Sequence, residues 1–174
     1  RRFAVRLIDQ KPNFEFLPNI HEILSGVKST EDVRLDLAQQ MSALGHDFTQ
    51  ASIQSIAPDT KEVSLQSGEV FEYDYLVVAL GAVDARYGVE GIDANAISFK
   101  SAEQCEAISR QLNERALSSK ASRVTIIGAG ITGVEALGEM LRQDKPSSLK
   151  ITMLEARDRL LPQSSESLDT YIRS

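Results

Sequence analysis

One cysteine, two histidines and the lack of any long apolar run limit what this chain of 174 residues can do. The single thiol, Cys105, excludes an internal disulfide, a Cys-x-x-Cys redox pair and any clustered-cysteine metal site, so no metal centre is expected. On its own it reads as a small buried residue rather than a nucleophile. His21 and His46 read as surface or loop positions. Basic charge is scarce as well: 19 lysines and arginines against 25 acids leave a net charge of -6. That balance argues against a nucleic-acid partner, whose footprint is usually basic. No dense Lys/Arg run marks a direct contact with anionic lipid. The longest apolar stretch, Tyr75 to Val83, falls far short of the ~20 residues that cross a bilayer. Neither an initiator methionine nor a signal peptide opens the chain, which begins Arg1-Arg2-Phe3 and passes straight into strand-like sequence. With a C-terminal end that trails off after two strands of a fold needing a third, we expect a piece of a longer protein. The cysteine usage fits a reducing cytosol.

What is present is an ordinary globular composition, 42% hydrophobic and 25% charged, enough for one large domain or two small ones. Its most informative run is Arg123-Val-Thr-Ile-Ile-Gly128-Ala-Gly130-Ile-Thr-Gly133-Val-Glu135, followed by Lys150-Ile-Thr-Met-Leu-Glu155. A lone G-x-G-x-x-G is weak, but here the required context surrounds it. Val124 to Ile127 is a β-branched run that reads as a buried parallel strand. Gly128 permits the tight turn, Gly130 lets a pyrophosphate approach the backbone, and Gly133 lets the next helix pack close. Val134, Leu137 and Leu141 recur at helical spacing, so a helix N-terminus at Ile131 and Thr132 would aim its N–H groups at phosphate. Ile151 to Leu154 is a second strand, with Glu155 at its end about 20 residues past the last glycine. A carboxylate there can accept hydrogen bonds from both hydroxyls of an adenosine ribose. Packing glycines in an ordinary β-α-β unit are the bland alternative, but strand, glycines, helix, strand and acid agree on a dinucleotide site.

The rest of the chain reads as follows. Phe3 to Ile8 is a strand ending at Asp9, and Phe14 to Pro18 an aromatic-rich loop. Ile20 to Leu24 is a short helix stopped by Ser25-Gly26, and Glu31 to Leu44 a helix closed by Gly45. Asp47 to Ile56 and Glu62 to Leu65 are strands around Pro58-Asp59-Thr60, and Phe71 to Leu80 is another. Tyr87 to Ala96 is a connector. Ser101 caps a helix to Leu117 whose face is Ala107, Ile108, Leu112 and Leu117, and Ser118-Ser119-Lys120 leads into the glycine-motif strand. Phe3-Ala-Val-Arg-Leu-Ile-Asp9 and Lys150-Ile-Thr-Met-Leu-Glu155 look alike, as though two related nucleotide-binding units were present, the first without its opening strand and glycine loop.

These residues resemble the flavin-dependent pyridine-nucleotide oxidoreductases, and within them most the type II NADH dehydrogenases (NADH:quinone oxidoreductases). The likeness covers nearly the whole chain. Asp9 matches the acid that holds the FAD adenosine ribose. Phe14-Glu-Phe-Leu-Pro18 and His21-Glu22-Ile-Leu-Ser-Gly26 match the segment lining the flavin, with His21 a candidate for that pocket. Gln50-Ala-Ser-Ile53 matches the main chain that contacts adenine. Tyr73-Asp74-Tyr75-Leu-Val-Val-Ala79-Leu80-Gly81 matches the hinge signature, with Leu80 in place of the usual threonine. Tyr87-Gly-Val-Glu-Gly91 resembles the linker, with tyrosine replacing its proline. Gly128, Gly130, Gly133 and Glu135 match the NAD site, and Arg159-Leu-Leu-Pro162 follows the pattern. The family's FAD pyrophosphate loop would precede Arg1, and its second flavin contact would follow Ser174.

The resemblance implies an α/β, Rossmann-like FAD/NAD(P)-binding two-domain fold, truncated at both ends, with a small β-rich insert. The expected divisions are a partial FAD-binding domain at 1–100, a connector helix at 101–122 and the start of an NAD-binding domain at 123–174. FAD and NAD are the implied cofactors. Asp9, Pro18, Ile53, Gly81, Gly128, Gly130, Ile131, Thr132, Gly133 and Glu155 are the implied binding residues. Glu135 is the implied catalytic one, placing the nicotinamide amide or modulating its charge; a helix-dipole contact accounts for it equally well. Asp9 can likewise be a turn former. Glu155 favours NADH because an ionised acid repels a 2′-phosphate, although Arg157 and Arg159 stand near enough to pair with one. The expected function is hydride passage from NADH to FAD and on to an acceptor, a quinone by resemblance. The rivals are a soluble flavin reductase for a small redox-protein partner and a non-catalytic NAD(H)-binding sensor. A sulfide:quinone-type enzyme needs more cysteines than Cys105. The implied location is cytoplasmic or peripheral on the inner face of the membrane, with any attachment through regions outside this chain; a homodimer is compatible.

Overall fold

The computed structural model describes residues 3–117, 122–142 and 149–173, apart from the side chains of 116 and 117. The lead-in expected at Ser118-Ser119-Lys120 and the Leu117 side chain lie outside the described residues. In chain order the elements begin with β1 (Arg6–Asp9), β2 (Asn13–Glu15), α1 (Glu22–Ser25), β3 (Arg34–Asp36) and α2 (Leu37–Ala43). Strands β4 (Asp47–Gln50), β5 (Ile53–Ala57), β6 (Glu62–Leu65) and β7 (Val70–Glu72) follow. The remainder is α3 (Ile92–Asn95), α4 (Ala102–Leu117), β8 (Ser122–Ile127), α5 (Ile131–Arg142), β9 (Leu149–Leu154) and α6 (Glu166–Arg173). No helix among the described residues is long and apolar enough to cross a membrane.

The chain divides into two compact units, one from the described parts of Arg1–Glu15 and Arg34–Val83, the other from Phe16–Val33 and Asp84–Ser174. In the first, β1 and β4 run parallel with Asp9 opposite Gln50. Phe3 and Val5, expected in the strand, lie before it and are exposed. Strands β5, β6 and β7 form an antiparallel meander whose inner positions, Val63 and Leu65, are buried. The single strand expected over Asp47 to Ile56 is therefore two. Strand β4 belongs to a parallel ladder and β5 to an antiparallel one, so the chain must turn between them.

Two further expectations are corrected in this unit. The helix expected over Glu31 to Leu44 begins only at Leu37. Residues Arg34–Asp36 instead pair antiparallel with β2, and the Asp36 carboxylate accepts the Gln39 N–H at 2.7 Å as the N-cap. The strand expected over Phe71 to Leu80 stops at Glu72. Beyond it Tyr75, Val77 and Val83 are 82%, 86% and 89% exposed. Among the described residues no neighbouring strand supplies a ladder there, and without one an apolar run has nothing to hold it extended.

In the second unit, Ile20, Ile23, Val33, Ala102 and Cys105 form one buried cluster. Leu24, Leu112, Ala136 and Met140 form another, which covers the inner face of β8 and β9 at Val124, Ile126, Leu149 and Ile151. Each fully buried leucine of this kind contributes about 1.5–3 kcal/mol. Strand β8 was expected to be buried throughout, yet its burial alternates, and so does that of β9. Among the described residues helices cover the inner face, and Ile127 and Leu154 are exposed on the other. The buried stripe of α5 is also rotated from the expected one: Ala136 and Met140 point inward while Leu141 is exposed. The close packing of Gly133 on the strand sets that rotation. On α4 the buried positions are Ala102, Cys105 and Leu112, with Ile108 packed against the cluster that holds Leu112, and the Ser101 hydroxyl accepts the Gln104 N–H as the cap expected there. Gly138 sits exposed within α5 with nothing within 4 Å of the place a Cβ would occupy. Gly138→Ala is therefore expected to raise stability by about 0.5–1 kcal/mol, read as a higher midpoint in chemical denaturation.

Candidate functional site

The site expected from the glycine motif is assembled where β8 ends. Strands β8 and β9 are parallel and in register, with Ile127 beside Leu154, so both strands finish level. The Gly128 N–H extends this ladder by one step to the Leu154 carbonyl at 2.8 Å. Its φ of 99° then turns the chain in a way that favours glycine. At Gly133 a Cβ would lie 2.1 Å from the Gly128 carbonyl oxygen, so the first turn of α5 closes on the strand only because no side chain is there. Gly130 faces open space. The Val134 N–H donates to the Gly130 carbonyl at 3.1 Å, which begins the helix. The N–H groups of Ile131, Thr132 and Gly133 precede the first intrahelical donor and are available to an anion.

Glu155 lies half-buried at the end of β9 and reaches back across this turn. One carboxylate oxygen accepts the Ala129 N–H at 2.8 Å and the other the Arg157 N–H at 3.0 Å. The Ala129 amide, followed by that of Arg157, holds the carboxyl below the usual glutamate range, and the nearby Arg157 charge adds to this. The group is thus ionised at neutral pH. Arg157 is exposed, whereas the Arg159 guanidinium is engaged internally, donating to the Pro162 carbonyl at 3.0 Å. Glu135 stands half-buried on α5 just past its first turn, which holds no acid, so it is a step farther from the helix N-terminus than the helix-dipole reading expects.

The other residues expected to bind cofactor are placed as follows. In the first unit, Asp9 ends β1 and its carboxylate accepts the Lys11 N–H at 2.8 Å. This repeats, two residues on, the turn that Glu155 makes with Arg157, so the likeness between the two strand ends extends to their hydrogen bonding. Ile53 opens β5 opposite Leu65, and Gly81 is exposed with φ 75°. In the second unit, Pro18 is exposed in a 3-10 turn, Leu17–Asn19. His21 and His46, expected at the surface or in loops, are each half-buried.

Sequence reasoning missed one part of the site. The Ala129 carbonyl accepts the Leu161 N–H at 2.8 Å, so the segment after β9 folds back onto the glycine turn. Asp169, from α6, accepts the Leu160 N–H at 2.7 Å. Nothing in the spacing announces this, because a single acid on a short amphipathic helix carries no motif.

A parallel β-α-β unit, a glycine turn closed against its helix and an ionised acid at the end of the second strand define a dinucleotide-binding α/β protein. Comparison with known proteins narrows the class. The chain belongs to the pyridine nucleotide-disulphide oxidoreductase family, whose description matches residues 1–174. It is 30% identical over 166 residues to the type II NADH:quinone oxidoreductase of Staphylococcus aureus, covering 86% of this chain and 41% of that protein. It is similar in fold to NDH2 from Plasmodium falciparum in complex with NADH, with a TM-score of 0.83 and 20% identity over 97% of this chain and 40% of the other. The sulfide:quinone oxidoreductase of Aquifex aeolicus gives 0.82 and 23% over 98% and 42%. The chain thus spans about two fifths of the length of these relatives.

Proposed function

We propose that this chain is the NADH-binding and part of the FAD-binding portion of an NADH-oxidising flavoprotein that delivers its electrons to a quinone. The observation that carries the reading is the ionised Glu155 carboxylate beside Ala129, at a glycine turn where Gly133 admits no side chain. Glu155 would accept the hydroxyls of the NADH adenosine ribose. The open backbone at Gly130 and the amides of Ile131, Thr132 and Gly133 would hold the pyrophosphate. Glu135, farther along the same helix, would place the nicotinamide end. Asp9, Ile53 and Gly81, all of the first unit, would contact FAD, within the domain division at 1–100, 101–122 and 123–174. A bound flavin supplies the hydride acceptance and onward electron transfer; the chain supplies binding, orientation and electrostatics. Cys105 is fully buried, which keeps the chain's one thiol out of dithiol chemistry. The quinone assignment follows the Staphylococcus aureus relative. A cytoplasmic or inner-membrane-face location and a homodimer fit it.

The test is an anaerobic titration of the protein at its natural length with NADH, followed through visible flavin absorbance. Stoichiometric bleaching, reversed by a soluble quinone, is the expected result. Bleaching reversed only by a ferredoxin-type protein would favour the flavin-reductase alternative. A colourless protein that still binds NADH would favour the sensor.

A further inference from the structure

The residue between the first two glycines of the motif is held from outside the motif on both sides. Ala129 is wholly buried; Glu155 takes its N–H and Leu161 donates to its carbonyl. Leu161 is itself buried and has a φ of 44°, a backbone region that a leucine occupies only under constraint. Its own N–H is held by the Ala129 carbonyl and its carbonyl by the Ser164 N–H at 2.7 Å, and α6 fixes the residue before it. One Asp169 carboxylate oxygen accepts both the Leu160 N–H at 2.7 Å and the Arg173 guanidinium at 2.9 Å. Arg173 also donates to the Asp158 carbonyl at 3.3 Å. The segment that carries Arg157, whose N–H orients Glu155, is therefore clamped at Asp158 and Leu160 and docked at Leu161.

We propose that Asp169 is a positioning residue for the adenosine end of the NADH site, acting through Leu160 and Leu161 on Ala129 and Glu155. The inference rests on the dinucleotide reading given above. Asp169 touches neither ribose nor pyrophosphate; it sets the loop that aims the groups which do. Loss of the clamp weakens binding of substrate and transition state alike, which raises KM and leaves kcat.

The experiment uses the protein at its natural length and two readouts. Calorimetry with NAD+, which cannot deliver a hydride, reports binding alone. In Asp169→Ala the Kd for NAD+ is expected to rise about tenfold. The KM for NADH should rise in parallel, with kcat at saturating NADH and KM for the acceptor unchanged. Hydrogen exchange at the Leu160 and Leu161 amides should quicken. Asp169→Asn keeps an acceptor for Leu160 and should restore most of the affinity. If Asp169→Ala does not fold, Arg173→Met carries the test, with a smaller rise in Kd expected because it removes only half the clamp. A lowered Tm with unchanged Kd in whichever variant folds would reduce Asp169 to a structural role and overturn the proposal. The dinucleotide reading fails separately: in that case the unaltered protein binds no NAD+, or Glu155→Arg leaves its Kd untouched.

Discussion

Gly133→Ala is expected to destabilise the protein by roughly 3 kcal/mol or more and to abolish NADH binding. The Cβ would stand 2.1 Å from the Gly128 carbonyl oxygen and 3.2 Å from its carbon. Both obstacles are backbone, so no side chain can swing aside. Either α5 moves off the strand or the turn at Gly128 opens. Moving α5 uncovers the cluster of Leu24, Leu112, Ala136 and Met140 beneath it. Opening the turn breaks the Gly128 to Leu154 hydrogen bond that ends the ladder. Thermal unfolding should show a lower Tm, by a few degrees or more. Gly130→Ala is the informative companion. A Cβ there meets nothing within 4 Å, so Tm should hardly change. The methyl would instead occupy the space left for the pyrophosphate, and affinity for NADH should fall at least about tenfold. An unchanged Tm for Gly133→Ala would mean that helix and strand do not close as described. Unchanged affinity for Gly130→Ala would place the pyrophosphate elsewhere.

The parts of this molecule legible in the sequence are those whose chemistry is local. Gly128, Gly133 and Glu155 each answer to a constraint set within one β-α-β unit, so motif spacing locates them and the structure brings them together around Ala129. Short-range caps were equally readable: Ser101 starts α4 and Gly26 ends α1. Where the outcome depends on a distant partner, the pattern was ambiguous. The apolar spacing of Val33, Leu37, Met41 and Leu44 suits a helix, yet residues 34–36 serve as a strand because β2 lies beside them. Val33 serves the core of the other unit instead. The run from Tyr75 to Val83 has the composition of a buried strand, but composition cannot supply the ladder that makes one. The stripe on α5 was misread by a fraction of a turn because a glycine, absent from any hydrophobic pattern, decides which face packs. Asp169 was invisible for the same kind of reason: its partner, Leu160, is met through a backbone amide that any residue provides.

Glu155→Arg is expected to reverse the coenzyme preference, lowering kcat/KM for NADH by about a hundredfold while raising it for NADPH by about tenfold. The argument is electrostatic. The Ala129 and Arg157 amides keep this carboxylate ionised. A 2′-phosphate brought to the same place meets a like charge and is repelled. An arginine changes the sign of that term and stands beside the exposed Arg157, so two guanidinium groups could share the phosphate. The exchange also has a cost, because arginine accepts no hydrogen bond and the Ala129 N–H loses its partner. The gain with NADPH is for that reason smaller than the loss with NADH. Glu155→Gln comes nearer to separating the two effects: its amide oxygen keeps an acceptor for the Ala129 N–H while the charge and the bond from the Arg157 N–H are lost, so it should relax discrimination without reversing it. Acid should act in the same direction as Glu155→Gln. Because the folded-state pKa is depressed, the carboxylate's stabilising contribution is present above the ordinary glutamate value and is lost as pH falls through the lowered one. Discrimination against NADPH should therefore persist through mildly acidic pH and fade only below the usual glutamate range. NADH kinetics unchanged in Glu155→Arg would remove the ribose from this carboxylate and leave it only a brace for the glycine turn.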